Sequence, residues 1–288
     1  MKELLCIGNP LIDVFIDLKD SLAEKYGIVA DMQHIEPEMA EALLNDPAID
    51  FSKAVKVSGG GAANVAKIAS MLGIETAFAG SVGSVNGSLD TFAQLFDKEI
   101  ADAGVFSALT KTNKKTGVCF ICTVNGKVRF AASPDAALEF TENDIGDDLL
   151  ANAEVVVLDG FVLDRRSLVK QVLTKASRKG IPVALDTGSV FQIKNKAEEI
   201  LTYGRSYPLI VFFNADEAIA FFNSIRKARD IDTNLSDKEK ETIILRDVCP
   251  MLKILTDGEI FPIMVVKLGS HGAVVMAGGN VYQKKLFR

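Results

Sequence analysis

The chain has 288 residues, 48% hydrophobic and 24% charged, which supplies an ample apolar core and excludes an intrinsically disordered protein. Its 32 basic and 38 acidic side chains, a net −6, are interspersed, which excludes the concentrated basic stripe of a nucleic-acid or anionic-membrane surface. Apolar runs fall short of the ~18–20 residues that span a bilayer, and the opening MKELLCIGNPLIDV enters a strand pattern rather than a signal peptide, so a cytoplasmic protein is expected.

In chain order, residues 4–8 read as a strand of a core sheet, and 12–18 as a second strand after the turn Gly8-Asn9-Pro10. Asp13 lies in that second strand among Leu11, Ile12, Val14 and Phe15. A buried carboxylate there needs hydrogen-bond donors, for which sugar hydroxyls are suited; on an edge strand it would simply face water. Ser58-Gly59-Gly60-Gly61-Ala62-Ala63-Asn64 opens a helix predicted over 62–72 and stopped by Gly73. Three glycines let backbone approach a ligand, and a helix start favours polar or anionic groups. Glycine-rich helix starts are also common structural devices.

Residues 117–124 and 127–132 are predicted strands joined by the hairpin Val124-Asn125-Gly126-Lys127. With 12–18 they suggest a small β-sheet lid. Cys119 and Cys122 form a C-x-x-C within one of these strands, where residues three apart point to opposite faces. No second such pair accompanies them, the histidines are His34 and His271, and four cysteines in all are too few for a disulfide framework. A structural role is expected for them.

From about residue 150, strands at 154–159, 181–186, 209–213 and 261–267 alternate with helices at 164–178, 194–202 and 215–222, and 273–276 closes the series. Continuous apolar strands between helices indicate a doubly wound, mostly parallel sheet with helices on both faces. Residues 223–247, dense in charge, read as a solvated loop and helix. Asn214-Ala215-Asp216-Glu217 follows the LIVFF strand, where open α/β sheets bind ligands. Asn214 with Glu217 is equally a near capping box. Val265 to Val275 reads as strand, Lys267-Leu268-Gly269-Ser270-His271-Gly272 turn, and strand. A P-loop and a dinucleotide G-x-G-x-x-G fingerprint are both absent, which leaves little support for an NAD-dependent enzyme.

Taken in order, GNPLID, GGGAAN, NADE and KLGSHG resemble the ribokinase-like PfkB carbohydrate kinases, and among them the adenosine-kinase-like branch. Asp159-Gly160-Phe161 and the run from Leu185 to Phe191 add to the likeness. The resemblance implies one ribokinase-like α/β domain over 1–288, with lid strands near 12–18 and 117–132. It implies an ATP-dependent, Mg2+-assisted kinase acting on a hydroxymethyl group of a sugar or nucleoside. In that scheme Asp13, Gly59, Gly60, Asn64 and Phe161 bind the substrate. Asn214 and Glu217 order Mg2+ through water, and with Lys267, Gly269 and Gly272 they form the nucleotide site. The lid closes over the substrate, and its edges offer a route to a homodimer.

The sequence also departs from the pattern. The family's D-T-x-G-A-G-D segment, which carries the catalytic carboxylate, is expected after the strand near Val281 and Tyr282 and does not occur. The catalytic base is therefore unassigned, and part of the core is expected to be missing. The alternative is a sugar- or nucleoside-binding homologue that does not transfer phosphate. Ser84-Val85-Asn86 replaces the usual acidic pair, and Lys267 stands where threonine is usual.

Overall fold

The structure, a computed structural model, describes residues 3–30, 32–226, 231–232, 235–258 and 260–285. The chain divides into two compact units, Met1–Asp144 and Ile145–Arg288.

In the first unit the elements are β1 (Leu4–Ile7), β2 (Leu11–Asp17), α1 (Asp20–Lys25), β3 (Met32–His34), α2 (Pro37–Leu44), β4 (Val55–Gly59) and α3 (Gly61–Met71). There follow β5 (Thr76–Val85), β6 (Ser88–Leu89), α4 (Thr91–Asp102), β7 (Phe106–Thr112), β8 (Thr116–Val124) and β9 (Lys127–Asp135). Strand β5 pairs in parallel with β1 and with β7, and its first eight residues are all buried. Burial on both faces suits its run of small and apolar side chains, a pattern of parallel sheets.

A separate five-stranded sheet has the order β3-β9-β8-β2-β4. Here the sequence alternates: Ile12, Val14 and Ile16 are buried, while Asp13, Phe15 and Asp17 are not. The hairpin between β8 and β9 turns as its sequence requires, with Asn125 at φ 49° and Gly126 at φ 73°, the paired positive values of a type I′ turn. Cys119 and Cys122 both lie on β8, in register with Asp13 and Ile16 of β2. Their alternation onto opposite faces follows, yet both are buried, and burial pushes each thiol up to about 12.

In the second unit the elements are β10 (Val155–Asp159), α5 (Arg166–Arg178), β11 (Val183–Asp186), α6 (Val190–Ser206), β12 (Leu209–Asn214) and α7 (Ala215–Ile225). They continue with α8 (Asp237–Ile243), α9 (Cys249–Asp257), β13 (Ile263–Lys267), β14 (Ala273–Ala277) and β15 (Asn280–Lys284). Strands β10 to β13 are parallel, and β14 and β15 continue the sheet antiparallel. The expected α/β class, with a mostly parallel sheet and a small second sheet, is what the chain forms.

Helix α6 is longer than the 194–202 its periodicity predicts, because the Ser189 hydroxyl accepts from the Gln192 N–H at 3.2 Å and starts it early. The charged stretch 223–247 holds the end of α7 and all of α8; its residues 227–230 and 233–234 lie outside those described. Among the described residues no helix is long and apolar enough to cross a membrane.

Candidate functional site

The glycine-rich start of α3 is built against β2. Gly59 pairs with Leu11 at the end of β4, and a β-carbon on it would fall 2.2 Å from the Asp13 carboxyl carbon. Gly60 has φ 97°, and a β-carbon there would meet the Asn9 carbonyl oxygen at 2.2 Å. Only glycine fits either position with the surroundings unchanged. Asn64 is exposed in the first turn of α3, its N–H bonded back to Gly60 O at 3.0 Å.

Among the described residues Asp13 accepts no hydrogen bond at its carboxylate, although it is largely shielded from water. Burial pushes its pKa up to about 6, and the nearby Lys67 cation acts in the opposite direction. The Lys67 ammonium itself donates to Ser58 O at 2.6 Å and to Ser58 Oγ at 3.0 Å, while the Ser58 N–H donates to Glu99 Oε2 at 2.6 Å. A carboxylate short of donors thus sits beside a fixed, partly desolvated cation. The sequence reading names Ser58 only as the first residue of the glycine-rich run, and neither Lys67 nor Glu99 at all. The available signal was one lysine in the middle of the otherwise small and apolar helix AANVAKIASML.

In the second unit the strand register aligns polar residues at the carboxyl ends of the sheet. Asp159 faces Asp186 across β10 and β11, and Asn214 faces Lys267 across β12 and β13. Phe161 follows β10 in a short turn whose N–H donates to Asp159 Oδ1 at 3.0 Å. Its ring lies against Gly188, where a β-carbon would approach Phe161 Cε2 to 3.3 Å.

Asn214 and Glu217 form a complete capping box. The Glu217 N–H donates to Asn214 Oδ1, and the Asn214 N–H to Glu217 Oε2, both at 2.8 Å. The Asn214 amide also donates to Glu217 Oε1 at 2.8 Å, and the Thr187 hydroxyl to Oε2 at 2.9 Å. Glu217 is 2% exposed; burial raises its pKa, and donation from the Asn214 backbone and Thr187 opposes the rise. Both oxygens are therefore engaged within the protein, and any cation held by this pair would be reached through water. The oxygen donors suit a hard divalent ion. Among the described residues no group of three or more His, Cys, Asp or Glu is arranged to hold a metal ion directly.

Asn214, Lys267 and Gly269 line one cavity of about 160 Å³ together with Asp216, Asp237 and Lys240. The Lys267 ammonium is 2.5 Å from Asp186 Oδ2. Gly269 has φ 56° with open space around it, whereas at Gly272, φ 96°, a β-carbon would lie 2.0 Å from Lys284 O. Gly272 is absent from that cavity's lining; it lets β14 leave the turn beside β15.

The family model described as pfkB family carbohydrate kinase matches residues 20–285. The chain belongs to this family. Curated relatives of this pfkB-family chain include an adenosine kinase of Schizophyllum commune, 27% identical over 152 residues that make up 52% of this chain and 42% of that one. Another is the guanosine-inosine kinase of Escherichia coli K12, 22% identical over 222 residues, 74% of this chain and 51% of the relative. The chain spans about half the length of the curated relatives it matches.

Among solved structures, the adenosine kinase from Sinorhizobium meliloti superposes with a TM-score of 0.78 at 23% identity, covering 100% of this chain and 80% of that one. A probable sugar kinase from Rhizobium etli CFN 42 gives 0.77 at 22% identity, again covering 100% and 80%. The pfkB-family chain therefore shares their fold.

Proposed function

We propose that this chain carries the substrate and nucleotide sites of an ATP-dependent kinase that phosphorylates a hydroxymethyl group of a sugar or nucleoside. The observation that carries the reading is Asp13: a shielded carboxylate with no protein donor, lying over Gly59 at the start of a glycine-rich helix. Leaving such a group without donors is costly, and paired hydroxyls of a sugar ring supply them. Gly59, Gly60 and Asn64 complete that wall, and Phe161 packs on the sugar or base. The names of the adenosine and guanosine-inosine kinases among its relatives favour a nucleoside.

Asn214, Glu217, Lys267, Gly269 and Gly272 form the nucleotide half in this reading. Mg2+, ordered through water by Asn214 and Glu217, neutralises phosphate charge when bound. The protein's own part is positioning: the capping box fixes the start of α7, and Lys267 brings a cation to the mouth of the cavity. Closure of the small sheet over the substrate excludes water from the transfer. Pairing of two copies through its edges, and cytoplasmic residence, belong to the same proposal.

The test is ADP release from ATP and Mg2+ across a panel of ribose, fructose, adenosine, guanosine and inosine. Release no greater than the no-acceptor control for every compound rejects the reading. A second reading is a sugar- or nucleoside-binding homologue without transfer, in which Asp13, Gly60 and Asn64 serve binding alone. Under that reading calorimetry detects adenosine or ribose binding, D13N abolishes it, and no ADP is formed.

A further inference from the structure

We infer that the first unit holds a second ligand site, on the reverse of the small sheet from Asp13, which takes an uncharged, ring-bearing molecule with one hydrogen-bonding group. A cavity of about 430 Å³ lies between α2, the end of β5, the start of α4 and the adjoining ends of β8 and β9. That volume is within the ~300–1,000 Å³ of small-molecule sites. Strand register separates it from the site already described, because residues in register on neighbouring strands share a face and successive residues alternate. Asp13 is in register with Cys119, whereas Ile12 is in register with Val118, and Val118 with Ser133. Val118 and Ser133 line the cavity, so it lies against the opposite face of the small sheet.

Ala40 and Leu44 from α2, Phe92 from α4 and Val118 give the cavity apolar walls, and Phe92 offers its ring to an aromatic ligand. Ser133 is 2% exposed, yet among the described residues its hydroxyl makes no hydrogen bond. A buried hydroxyl without a partner is costly, and a ligand nitrogen, carbonyl or hydroxyl reaching the cavity supplies one. The charges around the cavity are already matched. Lys115 pairs with Glu41 at 2.6 Å, and Asp90 accepts from the Ala93 N–H at 2.7 Å and from the Thr116 hydroxyl and N–H, both at 2.8 Å. Lys114 and Asp135, of opposite sign, complete the set. A net charge on the ligand therefore gains little, and affinity comes from apolar area removed from water together with the bond to Ser133.

The experiment titrates the 288-residue chain with indole and with 2-naphthol, read by saturation-transfer NMR of the ligand, with circular dichroism to confirm each variant's fold. S133A, which removes the hydroxyl, should weaken binding roughly three- to tenfold, the loss of one neutral hydrogen bond. L44W, which fills the cavity from α2 with a larger ring, should weaken it further. D13N, on the other face, should leave it unchanged. That pattern supports the inference. Equal affinity in wild type, S133A and L44W overturns it, and so does loss of binding in D13N, which places the probe at the candidate substrate site instead. No detectable binding of either probe to the wild-type chain also overturns it, and the ADP-release test of the kinase reading is independent of all these results.

Discussion

The carboxylate of Asp13 occupies the space that a β-carbon on Gly59 would need, with both of its oxygens 2.3 Å from that position. The glycine and the aspartate are therefore one device: the missing side chain makes room for the charge.

Gly59→Ala forces the Asp13 side chain to rotate away. A side-chain end can move, so stability should change by only about 1 kcal/mol, while affinity for the sugar or nucleoside falls at least about tenfold. Gly60→Ala meets the Asn9 backbone at a positive φ and should instead cost several kcal/mol, roughly 3. Urea denaturation and calorimetry on the two variants separate these effects.

Asp13 titrates near pH 6, above the ordinary carboxylate value, because its charged form is poorly solvated. Affinity for a hydroxyl-donating ligand should therefore climb between pH 5 and 7 and level off above, as the carboxylate ionises. The stability effect has the opposite sign. With the folded pKa above the unfolded one, the group contributes most below about pH 4, and that contribution is lost as pH rises through about 6. Asp13→Asn should raise the thermal midpoint at pH 7.5 and remove ligand binding across this pH range.

Glu217 satisfies the Asn214 N–H, the Asn214 amide and the Thr187 hydroxyl from a buried position. Glu217→Ala strands those donors and should destabilise the fold by about 3 kcal/mol or more. Asn214→Ala, which removes a cap, should cost about 1 kcal/mol. A double-mutant cycle with Thr187→Val, read by chemical denaturation, should give a coupling energy between Glu217 and Thr187 clearly different from zero.

Gly269 and Gly272 both adopt positive φ, but only Gly272 is crowded by backbone. Gly269→Ala should cost about 1 kcal/mol of left-handed strain. Gly272→Ala should cost more than twice as much, because it drives β14 and β15 apart. Amide exchange across β15 should accelerate in Gly272→Ala alone.

Most strands and helices of the second unit were legible in the sequence because apolar runs alternate with amphipathic stretches; α9 (Cys249–Asp257) was not read. The small sheet was legible in part: Asn125-Gly126 marks its hairpin, but β3 and β4 are short and carry little pattern of their own. The site's glycines could be named from sequence, but not their function as clearances for Asp13 and Asn9, since that depends on which strand lies alongside. The Ser58 N–H bond to Glu99 and the Lys267–Asp186 pair join distant elements, and Lys67 reaches back to Ser58 across the turn from β4 into α3. No local period encodes them. The sequence of Asn214 with Glu217 fits both a cap and a ligand, and the geometry fills the capping role completely.

The cysteines give the chain a built-in record of its own opening. Cys6, Cys119, Cys122 and Cys249 are all buried free thiols, with burial pushing the first three up to about 12 and the last to about 11. Thiolates are the reactive species, so alkylating reagents at neutral pH meet almost none in the folded chain. Modification then counts excursions into unfolded forms. Because Cys249 belongs to one compact unit and the other three to its neighbour in sequence, mass spectrometry of partly labelled chains assigns each excursion to its own half.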